Sequence, residues 1–209
     1  MLETTEIRAL RYHMEKNGFA FVNEANRSVC EKIAGKHSHF SSLLSGKKED
    51  SAHEKKLFSA WMKSVGGGMI IISDKHPITS FVIIFQPGAF AFSKFSFLRN
   101  CGLGTIFHYG FGFFKKLFSV IDASAAMRKK YTGIHSWYIA KFIVSNVSTG
   151  TNMLRTLMGW LDASGEVIFS DSLSDAESET AAAQGFYKLD SQQIADTLTY
   201  RALFRKPAK

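Results

Sequence analysis

Apolar and polar positions alternate with more than one period along this chain. Up to Ser64 the spacing is helical: Ile7, Leu10, Arg11 and Met14 share one face, and so do Leu57, Trp61, Met62 and Val65. Gly66-Gly67-Gly68 ends that region, and Met69-Ile70-Ile71-Ile72 is an apolar, β-branched run of strand length. Ser73 to Pro77 supplies turn residues, Thr79 to Phe85 is a second apolar run, and Gln86-Pro87-Gly88 closes what reads as a hairpin.

The second half carries sharper signals. Trp137 to Val144 reads as a strand, Ser145 to Gly150 as a polar loop, and Thr151 to Asp162 as a helix with Leu154, Leu157, Met158 and Leu161 on one stripe. Ala163-Ser164-Gly165 stops that helix, and Val167 to Phe169 forms a short strand. A helix capped by Ser174 or Asp175 runs to Gln184 with Gly185 as its C-cap, and Phe186–Leu189 and Thr197–Phe204 finish as strands. Between the halves, Phe114 to Tyr131 has helical spacing. The order predicts a mixed α/β fold without internal repeats or low-complexity linkers.

Composition narrows the class. The 209 residues, 45% of them hydrophobic, suffice for one globular core, and the net charge of +8 favours an acidic partner: nucleic acid, a membrane surface or a phosphorylated cofactor. Cys30 and Cys101 lie far apart without metal-ligand spacing, so free thiols in a reducing compartment and no metal site are expected. The N-terminus has acidic residues where a signal peptide would be basic, which points to the cytoplasm. Phe90 to Phe118 holds nine of the nineteen phenylalanines, but Lys94, Arg99 and His108 interrupt it and no stretch reaches the ~20 apolar residues that span a bilayer. It reads as irregular aromatic structure over a core or as an interfacial segment on lipid, the first being the commoner use of aromatics.

The feature with most chemical content is the succession of strand, tight polar turn and helix from Trp137 to Asp162. The first turn of a helix leaves backbone N–H groups unpaired and carries partial positive charge, so this arrangement suits a phosphate. Ser148, Thr149 and Thr151 add hydroxyl donors, and Gly150 permits close backbone approach.

From Ser136 onward the order of these elements resembles the GNAT superfamily of N-acetyltransferases: a Trp-Tyr strand ending in Val144, a glycine-bearing turn, an amphipathic helix ending Leu161-Asp162-Ala163-Ser164-Gly165, then Gly185-Phe186 and the terminal Leu203-Phe204-Arg205-Lys206-Pro207. Upstream, the hairpin ending Gln86-Pro87-Gly88 is similar to a strand pair in one branch of that superfamily. The resemblance implies a mostly antiparallel central sheet flanked by helices, one domain over residues 1–209, with a mainly helical part at 1–64 and a cofactor-binding and C-terminal part at 136–207. It implies acetyl-CoA as cosubstrate in a splayed gap beside the Trp137–Val144 strand. Its pantetheine would pair near Ile143 and Val144, and its pyrophosphate would rest on the turn and first helical residues, Ser145, Val147, Ser148, Thr149, Gly150, Thr151 and Asn152. An amine would attack the thioester directly, without a protein nucleophile.

The chain departs from the family pattern at identifiable places. Of the usual turn motif only Gly150 matches, and the tyrosine that protonates the leaving thiolate is replaced by Ala181. Glu177 stands where an asparagine is common, and Ala140 or Lys141 where an acidic residue can occur. Replacement proton carriers are Tyr138, His135 and Tyr187, with water as a fourth route. Three functions follow: an N-acetyltransferase with an unidentified amine acceptor; a silent GNAT-like binding module; and a basic peripheral protein on membrane or nucleic acid. The scattered basic pairs weigh against nucleic acid, whereas the Phe-rich surface serves equally as a pocket wall or a homodimer interface.

Overall fold

The computed structural model describes residues 4–37, 44, 50–66, 68–75, 77–131 and 136–208. The chain begins with α1 (Thr5–Lys16), β1 (Phe19–Phe21), α2 (Glu24–His37) and α3 (Ser51–Ser64), continues through the hairpin β2 (Met69–Asp74) and β3 (Ser80–Phe85), and then runs through three consecutive helices, α4 (Lys94–Cys101), α5 (Leu103–Tyr109) and α6 (Phe111–Tyr131). The second half is β4 (Trp137–Val144), α7 (Val147–Ala163), β5 (Ile168–Ser172), α8 (Asp175–Ala182), β6 (Tyr187–Ala195) and β7 (Leu198–Arg205).

The strands form one sheet in the order β1-β2-β3-β4-β5-β7-β6. Every pair is antiparallel except β4 with β5. Leu10 and Met14 of α1 and the stripe Met153, Leu154, Leu157, Met158 and Leu161 of α7 pack on one face, against Ile72, Ile84 and Trp137. Helices α2 to α6 cover the other, with Phe58, Phe97, Phe113 and Leu117 over Phe81, Ile83 and Tyr138. The sheet is thus buried on both faces, which is why β3 reads as an unbroken apolar run instead of an alternating one.

Three sequence expectations are corrected. The Phe-rich segment is helical rather than irregular. Phe97, Cys101, Thr105, Tyr109, Phe113 and Leu117 are buried at every fourth position, and Gly102 (φ 73°) and Gly110 (φ 79°) break the segment into short helices by taking left-handed backbone angles. The loop after β4 is only Ser145-Asn146, because Asn146 caps α7 by accepting a hydrogen bond from Thr149 N at 3.2 Å and the helix starts at Val147. Finally, the short edge strand β1 falls inside the stretch expected to be helical, pairing Phe19 with Asp74 and Phe21 with Ile72.

At the C-terminal end Arg205 fixes the helices to the sheet. Its guanidinium makes a bidentate pair with Asp162 at the end of α7, Nη2 to Oδ2 at 2.7 Å, and its Nε donates to Gln184 O at 2.8 Å. Gly185 (φ 82°) makes room, since a Cβ there would stand 3.2 Å from Arg205 Nε.

Candidate active site

The site follows from one irregularity in β4. In its pairing with β3, Lys141 faces Ile83 and Ile139 faces Ile84, so Ala140 is an extra residue, a β-bulge. On the other edge β4 pairs with β5 only through Trp137–Ile168, Tyr138–Phe169 and Ile139–Ser170, where Ser170 Oγ donates to Ile139 O at 3.0 Å. Beyond that point the strands diverge: β5 continues against β7, with Asp171 opposite Ala202, while among the described residues no strand pairs with Ala140 to Val144 on the β5 side. The divergence opens a cavity of about 490 Å³ between Ile139–Val144, Ser170–Leu173 and the face of α8 that carries Glu177 and Ala181.

At the apex lies a carboxylate that the sequence reading missed. Asp171 Oδ2 accepts hydrogen bonds from Tyr138 Oη and Ser124 Oγ, both at 2.8 Å. The side chain is half-buried and opens on the gap, yet enough protein surrounds it that desolvation pushes its pKa above the ordinary carboxylate value, with Lys141, the two hydroxyls and Arg128 opposing that shift. Burial, reinforced by the charge of Asp171, pushes the phenols of Tyr138 and Tyr200 upward as well, so both stay protonated. Tyr138 also receives the Arg128 guanidinium, 4.3 Å from its ring centroid and equally close to that of Phe90. Lys141 lines the gap and also a void of about 50 Å³ among Glu54, Leu57, Phe58 and Trp61 of α3 and Phe97 of α4.

The other candidates are scattered. Ile143 and Val144 line the gap. Ser145 is tied to the start of β3, its N donating to Thr79 O at 3.1 Å and its Oγ to the same oxygen. Val147 is 77% exposed and Ser148 is exposed at the helix end. Thr149 N is taken by the cap, Gly150 N donates to Asn146 O at 2.9 Å, and Thr151 and Asn152 lie inside α7. Gly150 is buried, and a Cβ on it would stand 2.7 Å from both methyls of Val144. Its lack of a side chain therefore serves helix–strand packing. Tyr187 sits exposed at the start of β6 with its ring on Phe204, and His135 lies outside the described residues. Ala181, where the resemblance implies a tyrosine, lines the gap.

One group of metal-ligating side chains stands apart from the gap. Asp50, His53 and His108 each bring a ligand atom within 4.8 Å of the others, and His53 Nδ1 lies 2.7 Å from Asp50 Oδ2. The two imidazoles stack at 3.7 Å with planes 7° apart, so their in-plane lone pairs run side by side and one ring would have to turn for both to meet an ion.

A mixed sheet that splits at its one parallel pair, with an open strand edge along the split, offers backbone groups to an extended ligand edge-on. No family model matches the sequence, and no curated protein matches it. Solved structures do match. Arylalkylamine N-acetyltransferase 2 from Aedes aegypti aligns over 91% of this chain and 98% of its own, with a TM-score of 0.57 at 9% identity. The polyamine N-acetyltransferase of Drosophila melanogaster covers 89% and 98%, with a TM-score of 0.53 at 11% identity. The histone acetyltransferase HPA2 and related acetyltransferase of Corynebacterium glutamicum covers 91% and 96%, with a TM-score of 0.52 at 13% identity. At these identities what is shared is the fold, and the fold is that of the GNAT N-acetyltransferases.

Proposed function

We propose that the chain is an acetyl-CoA-dependent N-acetyltransferase whose cosubstrate lies in the β4–β5 gap and whose proton acceptor is Asp171. The observation that carries this reading is the placement of a carboxylate of raised pKa at the apex, beside an unpaired strand edge long enough to hold pantetheine in extended form. Backbone groups of Ala140 to Val144 bind the cosubstrate arm, and the exposed first turn of α7, with Val147 and Ser148, faces the phosphates. The acceptor amine approaches from the α3–α6 side, past Lys141. Its nitrogen attacks the thioester carbon, the C–N bond forms, the C–S bond breaks, Asp171 takes the amine proton and water protonates the thiolate. Tyr138 and Ser124 are positioning residues, since both hold Oδ2 and leave Oδ1 to meet the amine proton.

Two measurements test this. Isothermal titration with acetyl-CoA should show binding, and its absence at millimolar ligand would remove the cosubstrate. With thiol release measured over a panel of amines, a base of raised pKa requires the rate to fall as pH drops through a point above the ordinary carboxylate range. Asp171→Asn should abolish that limb and lower kcat by about 10²–10⁴ without changing acetyl-CoA affinity. A variant that turns over at the wild-type rate would refute the role of Asp171, and binding without turnover on any amine would leave a cofactor-binding module.

A further inference from the structure

The helices α4 to α6 carry a second stripe, two residues out of phase with the buried one and therefore on the opposite side of each helix. Phe95, Arg99, Leu103, Phe107, Phe111 and Lys115 recur at every fourth position and all are exposed. Its apolar members are among the most exposed large hydrophobic residues of the protein, Phe95 at 77%, Leu103 at 71%, Phe107 at 75% and Phe111 at 79%. Together they present roughly 500 Å² of apolar side chain, within the range of the largest patch on an ordinary monomer but concentrated here in seventeen residues. None of this surface is needed by the core, whose own stripe is complete.

Charge decides the occupant. From Lys75 to Ile121 the chain has no Asp or Glu, and Arg99 and Lys115 sit within the stripe itself. A second copy of the chain meeting this face would gather Arg99 and Lys115 of both copies in one apolar contact with no acid in the segment to offset them. Nucleic acid would satisfy the cations and stack bases on the phenylalanines, but it leaves Leu103 without an apolar medium, and the two cations of the stripe are few for tracking a phosphate backbone. A membrane surface satisfies both: aromatic rings enter the headgroup and acyl boundary while Arg and Lys meet anionic lipid. No helix among the described residues is long and apolar enough to cross a bilayer, which fits a chain that lies on the surface. Gly102 and Gly110 let two short helices and the start of α6 lie along that surface without forming one rigid rod.

We infer that the exposed stripe of α4–α6 is a docking surface for an anionic phospholipid bilayer. This does not rest on the acyltransferase reading. The test is flotation of the full chain with phosphatidylcholine vesicles and with vesicles that also contain phosphatidylserine, at low and high salt. Binding is expected on the anionic vesicles only and should weaken as salt rises. Phe107→Ser/Phe111→Ser should reduce it at least tenfold with an unchanged melting temperature, while Tyr12→Ser, an equally exposed aromatic on α1, should not. Equal binding to neutral vesicles, unimpaired flotation of the double variant, or no flotation at all would overturn the inference. So would conversion of a solution dimer to monomer by the double variant, which would assign the face to a second copy.

Discussion

Gly150 separates a packing role from a ligand role, and Gly150→Ala tests which one the residue serves. An added Cβ would meet the Cγ1 and Cγ2 atoms of Val144 at 2.7 Å and its Cβ at 3.2 Å. Carbon pairs settle near 3.5–4.0 Å, so two methyl contacts are compressed, and overpacking of this kind costs about 1–3 kcal/mol. Against it, alanine in a helix is favoured over glycine by up to about 1 kcal/mol. The net expectation is a loss of up to ~2 kcal/mol. In a Val144→Ala background both methyls are gone and only the 3.2 Å contact with the Cβ of residue 144 opposes the propensity gain, so the same substitution should be close to neutral. The coupling energy in the double-mutant cycle should then be up to ~2 kcal/mol. Urea unfolding of the four proteins, with unchanged m-values, measures it. Stabilisation by Gly150→Ala in the wild-type background, with coupling below about 0.5 kcal/mol, would refute the steric account. The double variant also carries a functional answer. If glycine serves packing, Val144→Ala/Gly150→Ala binds acetyl-CoA nearly as the Val144→Ala variant does; if it admits a phosphate, binding is lost although the fold is restored.

Other expectations follow from the ion pair and the thiols. Arg205 holds the Asp162 carboxyl below its ordinary pKa, so the pair contributes stability that is present above the unfolded-state value and is lost as pH falls through the folded one. Asp162→Asn should therefore cost about 2–4 kcal/mol near neutral pH, because it leaves a largely buried guanidinium without its counter-charge, and it should flatten the acid limb of a stability–pH curve measured by chemical denaturation. Burial pushes the thiols of Cys30 and Cys101 up to about 12, so a thiol reagent at pH 8 should find neither in the native protein and both after denaturation.

What the sequence disclosed depended on how each element signals. Strand β4 matches its reading residue for residue because polar residues bound an apolar run on both sides, and the stripe of α7 stands out because four of its residues fall at helical spacing. The start of α7 was hidden: Val147 to Gly150 resemble a loop in composition, and the cap that begins the helix is a single asparagine. The helices of the Phe-rich segment were hidden for the opposite reason. With phenylalanines on both the buried and the exposed stripes, no polar face marks the period, and Cys101, Thr105 and Tyr109 dilute the buried one. Of the site, the strand that carries it was legible, whereas the roles given to Ile143 and Val144 come from the family resemblance and that of Tyr138 from its alternation with Trp137. Asp171 was not legible, because Ser170-Asp171-Ser172 looks like the exit of a strand, and only the β7 pairing keeps it in the sheet.

The same pairing explains why the site has the form it does. A strand edge inside a covered sheet carries backbone donors and acceptors that need partners, and the bulge at Ala140 withdraws β4 from β5 where neither face offers them. The proposed function supplies those partners as an extended cosubstrate. After β4, the two-residue turn puts the amides of Thr149 and Gly150 into the cap and helix of α7, so under the proposed function more of the cosubstrate binding falls to the strand edge. Ala181 stands where the resemblance implies an acid on α8, while Asp171, which also lines the gap, is held by the hydroxyls of Tyr138 and Ser124. If Asp171 carries the proton as proposed, the turn and the wall of one gap both differ from the pattern the resemblance implies, and Asp171→Asn and the Gly150 cycle test the two differences separately.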